Sequence, residues 1–297
     1  MNIQDERKNI VFVILHYKTA DDTIECVESI KEKIDTQLYH IVIVDNASNN
    51  GSLDVIRKAY FNDNSITVVA NSKNLGFARG LNEGIRFART HFMSEFIAAI
   101  NNDTVLISRD FYYVLKENYK KYNFAVAGPM MLTKDGKCHV NPIRNSIRKP
   151  EEVLASIDRY KRIMCLAKLN LLPLYNKLMK IRKTKVKMDS QVWTQAQIDY
   201  KLHGAFWIFS DKYFEKFDGL DDSTFLYGEE DILYLHVIMN DLQTLYIPEL
   251  AIYHKEDAST NEALPNAKAK TLFVSEKCIE SLKIYLEIYS KYFDSSN

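Results

Sequence analysis

The sequence is poor in the features that most readily identify a protein. Its four cysteines, Cys26, Cys138, Cys165 and Cys278, include no C-x-x-C pair. That disfavours a zinc site or a disulfide framework and fits a reducing compartment. Thirty-nine basic residues balance thirty-nine acidic ones, so no global field favours nucleic acid and any charge argument must be local. No apolar run approaches the ~20 residues that a membrane span requires. Residues 1–9 are polar and charged and show no signal-peptide pattern, so a cytoplasmic location is expected. Two common nucleotide fingerprints are also missing. No G-x-x-x-x-G-K-[ST] occurs and no G-x-G-x-x-G follows a first strand, which removes the best support for kinase, NTPase and dehydrogenase readings.

What is present is an alternation of apolar runs and amphipathic segments in a chain that is 46% hydrophobic, enough for a sizeable core. Residues 10–15 form a continuous apolar, β-branched run that predicts a central strand. Ile24, Val27, Ile30 and Ile34 then follow at helical spacing, with Asp21 and Asp22 placed where a helix dipole favours them. Residues 41–44 predict a second strand, 45–52 a polar turn and 53–60 a helix. Residues 66–69 predict a third strand, followed by a polar loop at 71–76 and a helix with Phe77, Leu81, Ile85 and Phe92 on one face. A fourth strand over 96–100 ends in Asn101, Asn102, Asp103 and Thr104. The pattern predicts an α/β fold with a mainly parallel central sheet flanked by helices.

Such a sheet delivers its polar loops to the carboxyl edge, where ligands bind. A carboxylate such as Asp103, flanked by neutral amides, can hold a divalent cation while leaving positions open for phosphate oxygens and water. Locally, the same tetrapeptide also suits a turn or a helix cap. Asp45 at the second strand end can accept hydrogen bonds from a base or ribose, or can cap its own turn. Asn74 and Gly76 precede a helix N-terminus that suits a diphosphate, with Arg79 in its first turn.

The series Ile14-Leu15-His16-Tyr17, Val44-Asp45-Asn46-Ala47-Ser48, Asn74-Leu75-Gly76-Phe77-Ala78-Arg79 and Asn101-Asn102-Asp103-Thr104 resembles family 2 glycosyltransferases of the GT-A fold. The likeness is strongest to the rhamnosyltransferase-like branch that builds bacterial surface polysaccharides. It resumes at 202–209, at 225–231 and at 247–255, and spans roughly 9–145 and 198–258. The resemblance implies inverting transfer of a sugar from a UDP-, dTDP- or GDP-linked donor to a glycan or lipid-linked acceptor, with Mg²⁺ or Mn²⁺. It places Asp103 and His254 at the metal, with Asn101 standing where an acid is usual. It places His16, Tyr17, Asp45, Asn74, Gly76, Arg79, Asn101 and Asn102 on the donor side, and His203, Gly204 and Glu229 on the acceptor side. In Tyr227-Gly228-Glu229-Glu230-Asp231, alignment from Gly228 makes Glu230 the general base. Asp231 follows directly, and Ile232 holds the later acidic place, so both carboxylates remain candidates.

The segment between the matching blocks, 149–198, reads as a basic helical insert. From Arg159 to Lys187 there are ten Lys or Arg and no acid, interleaved with leucines and split by Pro173. Two basic amphipathic helices lying on an anionic membrane, at its inner face, would account for this, as would a helical lid packed on the enzyme. Stacking aromatics are too few for nucleic acid. The expected organisation is a GT-A unit over 1–258 and a helical extension over 259–297, whose Tyr285, Tyr289 and Tyr292 could pack on the sheet, meet lipid or join subunits. Two other classes compete. A sugar nucleotidyltransferase would need a Gly-rich basic loop after the first strand, where residues 16–19 provide none. A catalytically inactive glycan-assembly partner is conceivable because Asn101 replaces an acid.

Overall fold

The computed structural model describes residues 6–35, 37–134, 140–172, 193–255 and 266–293. The first half follows the alternation in the sequence: β1 (Glu6–His16), α1 (Ala20–Lys33), β2 (Tyr39–Asp45), α2 (Ser52–Ala59), β3 (Ile66–Ala70), α3 (Phe77–His91) and β4 (Phe92–Asn101). The second half is less regular. It contains β5 (Thr104–Leu106), α4 (Phe111–Tyr122), β6 (Val126–Thr133), α5 (Pro150–Lys168), β7 (Gln197–Ile198) and β8 (Phe206–Ser210). There follow α6 (Asp211–Phe214), α7 (Glu229–Met239), β9 (Thr244–His254) and α8 (Ala267–Phe293).

One sheet runs in the order β3-β2-β1-β4-β8-β6-β9-β5, with β7 paired to β9. The four strands from β3 to β4 are parallel, as the β/α repeat predicts. Beyond them the sheet is mixed. β8 runs antiparallel to both β4 and β6, β6 and β9 are parallel, and β5 and β7 add antiparallel partners to β9. The change of direction occurs where the chain stops alternating strands with helices, after Asn101.

Side-chain alternation along the strands divides the core into two layers. Ile10, Phe12 and Ile14 of β1 join Ile41 and Ile43 of β2 against Cys26, Val27 and Ile30 of α1. Val11, Val13, Val42 and Val44 face the other way, against Ala78, Leu81, Ile85 and Ala88 of α3. This burial on both faces is why these strands read as unbroken apolar runs. A third cluster lies apart from them: Val153 and Ile157 of α5, Ile232 and Leu235 of α7, and Leu282, Tyr285 and Ile288 of α8.

That third cluster decides the C-terminal question. α8 packs on α5 and α7, with the Tyr285 hydroxyl donating to the Arg148 carbonyl at 2.8 Å and Tyr292 Oη 2.7 Å from His236 Nδ1. It also alters the reading of the basic insert. Its first part is α5, whose apolar residues Val153, Ile157 and Ala167 are turned inward rather than presented as a free amphipathic face. The remainder of that expectation, including Pro173 and the basic residues up to Lys187, lies outside the described residues.

α3 lies unusually close to the sheet because Gly80 and Gly84 face it. A Cβ at Gly84 would run into Val13 Cγ1 and stand 2.7 Å from Val44 Cγ2. Both neighbours are stiff, fully buried valines. Gly84→Ala is therefore expected to destabilise the fold by about 1–3 kcal/mol through overpacking. Urea unfolding measures this, and an unchanged midpoint would contradict the close approach.

Candidate active site

The carboxyl ends of β1, β2 and β4 lie side by side, with His16 opposite Asp45 and Leu15 opposite Asn101 in the ladders. Beneath this edge is a buried polar network. His16 is fully buried, with Nδ1 2.7 Å from Thr23 Oγ1 and Nε2 2.9 Å from Ser52 Oγ. Burial pushes its imidazole down to about 4, although Asp45 lies 3.7 Å away and acts in the opposite direction. Asn102 points the same way, its amide donating to Thr19 Oγ1 at 2.8 Å and Thr23 Oγ1 at 2.9 Å. His16 and Asn102, expected to touch the donor, are therefore placed as struts that fix α1 and α2 under the site.

Above them, Asp45 is 3% exposed and accepts from the Ser48 hydroxyl at 2.5 Å, so it does cap its own turn. Tyr17 sits beside this turn, half-buried, where the Lys18 N–H donates to Ser48 Oγ at 2.8 Å. Asn46 organises the next loop. Its amide donates to Asn74 Oδ1 and to the Gly76 carbonyl, while its oxygen accepts from Asn71 and from the Leu75 N–H.

The N-terminus of α3 differs from the expected anion site. The Phe77 N–H donates to the Phe225 carbonyl at 2.8 Å, and a Cβ on Gly76, whose φ is +85°, would collide with that oxygen. Only glycine permits this approach. Arg79 likewise turns away from the donor side, its Nε donating to the Asp222 carbonyl at 2.9 Å. Gly76, Arg79 and Asn82 together clamp residues 220–225 onto α3.

The metal candidates meet. Asp103 follows β4, and β9 ends at His254, which stands opposite Thr104 in the ladder. The Lys255 N–H donates to the Asp103 carbonyl at 3.0 Å. His254 Nε2 lies 3.2 Å from Asp103 Oδ1, with the two residues 6% and 5% exposed. Among the described residues neither ring nitrogen of His254 has a hydrogen-bond partner. Buried nitrogens of this kind, converging with a carboxylate, fit a divalent cation. Among the described residues no group of three or more His, Cys, Asp or Glu could hold a metal. The pair therefore suits an ion that draws its remaining ligands from phosphate oxygens and water.

Residues 203–205 connect this pair to the acidic loop. The His203 ring lies edge-on to His254 at 5.7 Å, and its Nδ1 accepts from the Ala205 N–H. The Asn101 N–H donates to the Ala205 carbonyl at 2.9 Å, and the Gly204 N–H donates to Glu230 Oε1 at 3.3 Å. A Cβ on Gly204 would stand 3.0 Å from that same carboxylate oxygen. Glu230 is thereby tied, through two consecutive residues, to the end of β4.

The three acids of the loop are not equivalent. Asp231 is paired with two cations, Lys201 at 2.5 Å and Arg148 at 3.0 Å. Glu229 is turned into the protein, accepting from the Thr224 hydroxyl at 3.0 Å. Burial, and secondarily the charge of Glu230, raise its carboxyl from 4.5 to about 7. Of the three, Glu230 alone is both partly exposed and, among the described residues, without a cationic partner. Sequence reasoning missed Thr23, Asn46, Arg148, Lys201 and Phe225. Asn46 lay within a quoted motif, whereas nothing local marked Arg148 or Lys201 as partners of Asp231.

The chain belongs to Glycosyl transferase family 2, which it matches over residues 11–186. No curated protein matches it. A crystal structure of GalNAc-T7 with UDP, GalNAc and Mn²⁺ superposes at a TM-score of 0.59 and 12% identity, covering 96% of this chain. The chain spans 49% of that protein's length, and the likeness shows the GT-A fold. A structure of S. aureus TarS 1–349 in complex with UDP-GlcNAc is 16% identical with a TM-score of 0.37, over 48% of this chain and 38% of that one. That likeness is too slight to bear on the fold.

The pH dependence of Glu229 is testable. Between 4.5 and about 7 the folded chain keeps a proton that the unfolded chain releases. Stability therefore falls as pH rises through this window and stays reduced above it. Glu229→Gln keeps the acceptor for Thr224 and cannot ionise. Its melting temperature should exceed that of the parent at pH 8 and match it near pH 5. Equal differences at both pH values would contradict the assignment.

Proposed function

We propose that this chain transfers a sugar, with inversion, from a nucleotide-diphosphate donor to a hydroxyl of a glycan, in a metal-dependent reaction. One observation carries the reading: the Asp103–His254 pair and the Glu230 carboxylate are brought to one strand end by the consecutive residues Gly204 and Ala205. Family membership supports it, as does the fold shared with GalNAc-T7, a protein crystallised with UDP, GalNAc and Mn²⁺.

The donor's nucleoside lies against Tyr17, Asp45 and the Asn74–Gly76 loop, with Asn101 at the edge of the sugar site. Asp103 and His254 hold a Mg²⁺ or Mn²⁺ ion, which when bound neutralises charge on the departing diphosphate. Glu230 takes the proton of the acceptor hydroxyl as its oxygen bonds to the anomeric carbon and the bond to the diphosphate breaks. The Gly204 N–H orients the carboxylate for that step. His203 and Glu229 shape the acceptor side, Glu229 by holding Thr224 and the loop before Gly228. The acceptor is a lipid-linked surface glycan of the rhamnosyltransferase-like kind, met at the cytoplasmic face of a membrane. The transferase unit spans 1–258, and α8 of the C-terminal extension braces it through α5 and α7.

Glu230→Gln is expected to lower kcat by about 10²–10⁴-fold, the usual worth of a general base, while donor binding and melting temperature stay near the parent's. Asp231→Ala should instead lower stability by about 3 kcal/mol, because Arg148 and Lys201 lose their shared counter-charge. Steady-state kinetics beside urea unfolding separates the two. A catalytic loss confined to Asp231→Asn, with Glu230→Gln fully active, would reverse the assignment.

A further inference from the structure

One end of the α5–α8 pair combines exposed leucines with exposed positive charge, and among the described residues no acid pairs with Arg162, Lys168 or Lys268. α5 and α8 are antiparallel: Tyr285 meets Arg148 at one end, and Lys268 reaches the Lys168 carbonyl and Asn170 Oδ1, at 2.8 Å, at the other. The apolar face of α5 is spent on the cluster with α7 and α8, so the helix has no free stripe with which to lie flat on a surface. At its C-terminal tip the arrangement changes. Leu169 is 61% exposed and Leu171 45% exposed; Lys168 and Lys268 stand beside them and Arg162 about two turns earlier on α5, all exposed. Lys161 is exposed too but pairs with Asp158, the nearest acid on the helix. No Asp or Glu follows Asp158 until after residue 187.

We propose that this tip docks end-on to an anionic lipid bilayer, its leucines entering the headgroup boundary and its basic residues meeting lipid phosphates. The charge is complementary to an anionic surface, and leucine rather than aromatic residues accompanies it, which favours lipid over nucleic acid. Among the described residues no helix is long and apolar enough to cross a membrane, so the contact is peripheral. α5 has 19 residues and is about 28 Å long, with the Arg148–Asp231 pair beside Glu230 at its far end. An acceptor anchored in the same bilayer would have to extend about that far to reach the base. This docking does not depend on the transfer chemistry.

The test is sedimentation of the full chain with vesicles of phosphatidylcholine alone or mixed with phosphatidylglycerol, at low and high salt. Binding is expected only to the mixed vesicles, weakened by salt. It should fall by about tenfold or more in Arg162→Glu/Lys168→Glu and also in Leu169→Ser/Leu171→Ser. Because all four side chains are exposed, unchanged melting temperatures will show that both variants fold. Equal binding to neutral vesicles, no binding to either, or full binding by either variant would overturn the proposal. So would retention on heparin that the charge variant loses and the leucine variant keeps, with no vesicle binding, which would assign the surface to an acidic polymer.

Discussion

The pairing of Thr104 with His254 is the constraint on which the site depends. These residues are separated by about half of the chain, yet one short antiparallel ladder places Asp103 against the His254 ring and seals the arrangement with the Lys255 N–H on the Asp103 carbonyl. The Lys255 ammonium is anchored in turn by Asp22 and Glu25 of α1. Two groups that would each be an ordinary buried polar residue alone become a facing carboxylate and imidazole. Burying the His254 ring without hydrogen-bond partners among the described residues is costly, and that cost is what marks the pair as a candidate ligand site.

Around that pair, polar residues divide into those that build the edge and those that face across it. His16, Thr23, Ser52 and Asn102 form a closed network under the strand ends, and the lowered basicity of His16 keeps that network neutral. A network satisfied throughout is stiff, and stiffness is what a site needs if its ligands are to be held in place before a substrate arrives. Asp231 serves the same purpose on the other side. Its two ion pairs join α7 to residues 148 and 201, and so hold the adjacent Glu230 toward the open side. Phe225, through its carbonyl on Phe77, ties the loop before Gly228 to the donor half.

The parallel half of the fold was legible because both faces of β1, β2 and β4 are buried, which leaves unbroken apolar runs that end abruptly in polar residues. The positions of Asp103, Glu230 and His254 at strand ends or a helix start were legible for a related reason, since each lies within a recognisable motif. The direction in which a strand-end side chain points was not legible. His16 and Asn102 are as polar as Asp45 and Asp103 but turn down toward α1 and α2, a choice set by neighbours such as Thr23 and Ser52. The contact of Arg79 with Asp222 was not legible because that loop lies more than a hundred residues away. The antiparallel insertion of β8 was hidden for the same reason, since Phe206–Ser210 is buried throughout and fits either direction.

The central claim is that Asp103 and His254 hold a metal ion through which a nucleoside diphosphate binds. It is tested most directly by thermal stabilisation with UDP, dTDP and GDP in the presence of Mn²⁺, Mg²⁺ or chelator, for the parent and for Asp103→Ala. A ligand at a hundred times its dissociation constant adds about 2.7 kcal/mol, which a melting curve resolves. The account predicts stabilisation by one nucleotide that requires metal and disappears in Asp103→Ala. Stabilisation of equal size with metal and with chelator, unchanged in Asp103→Ala, would contradict it.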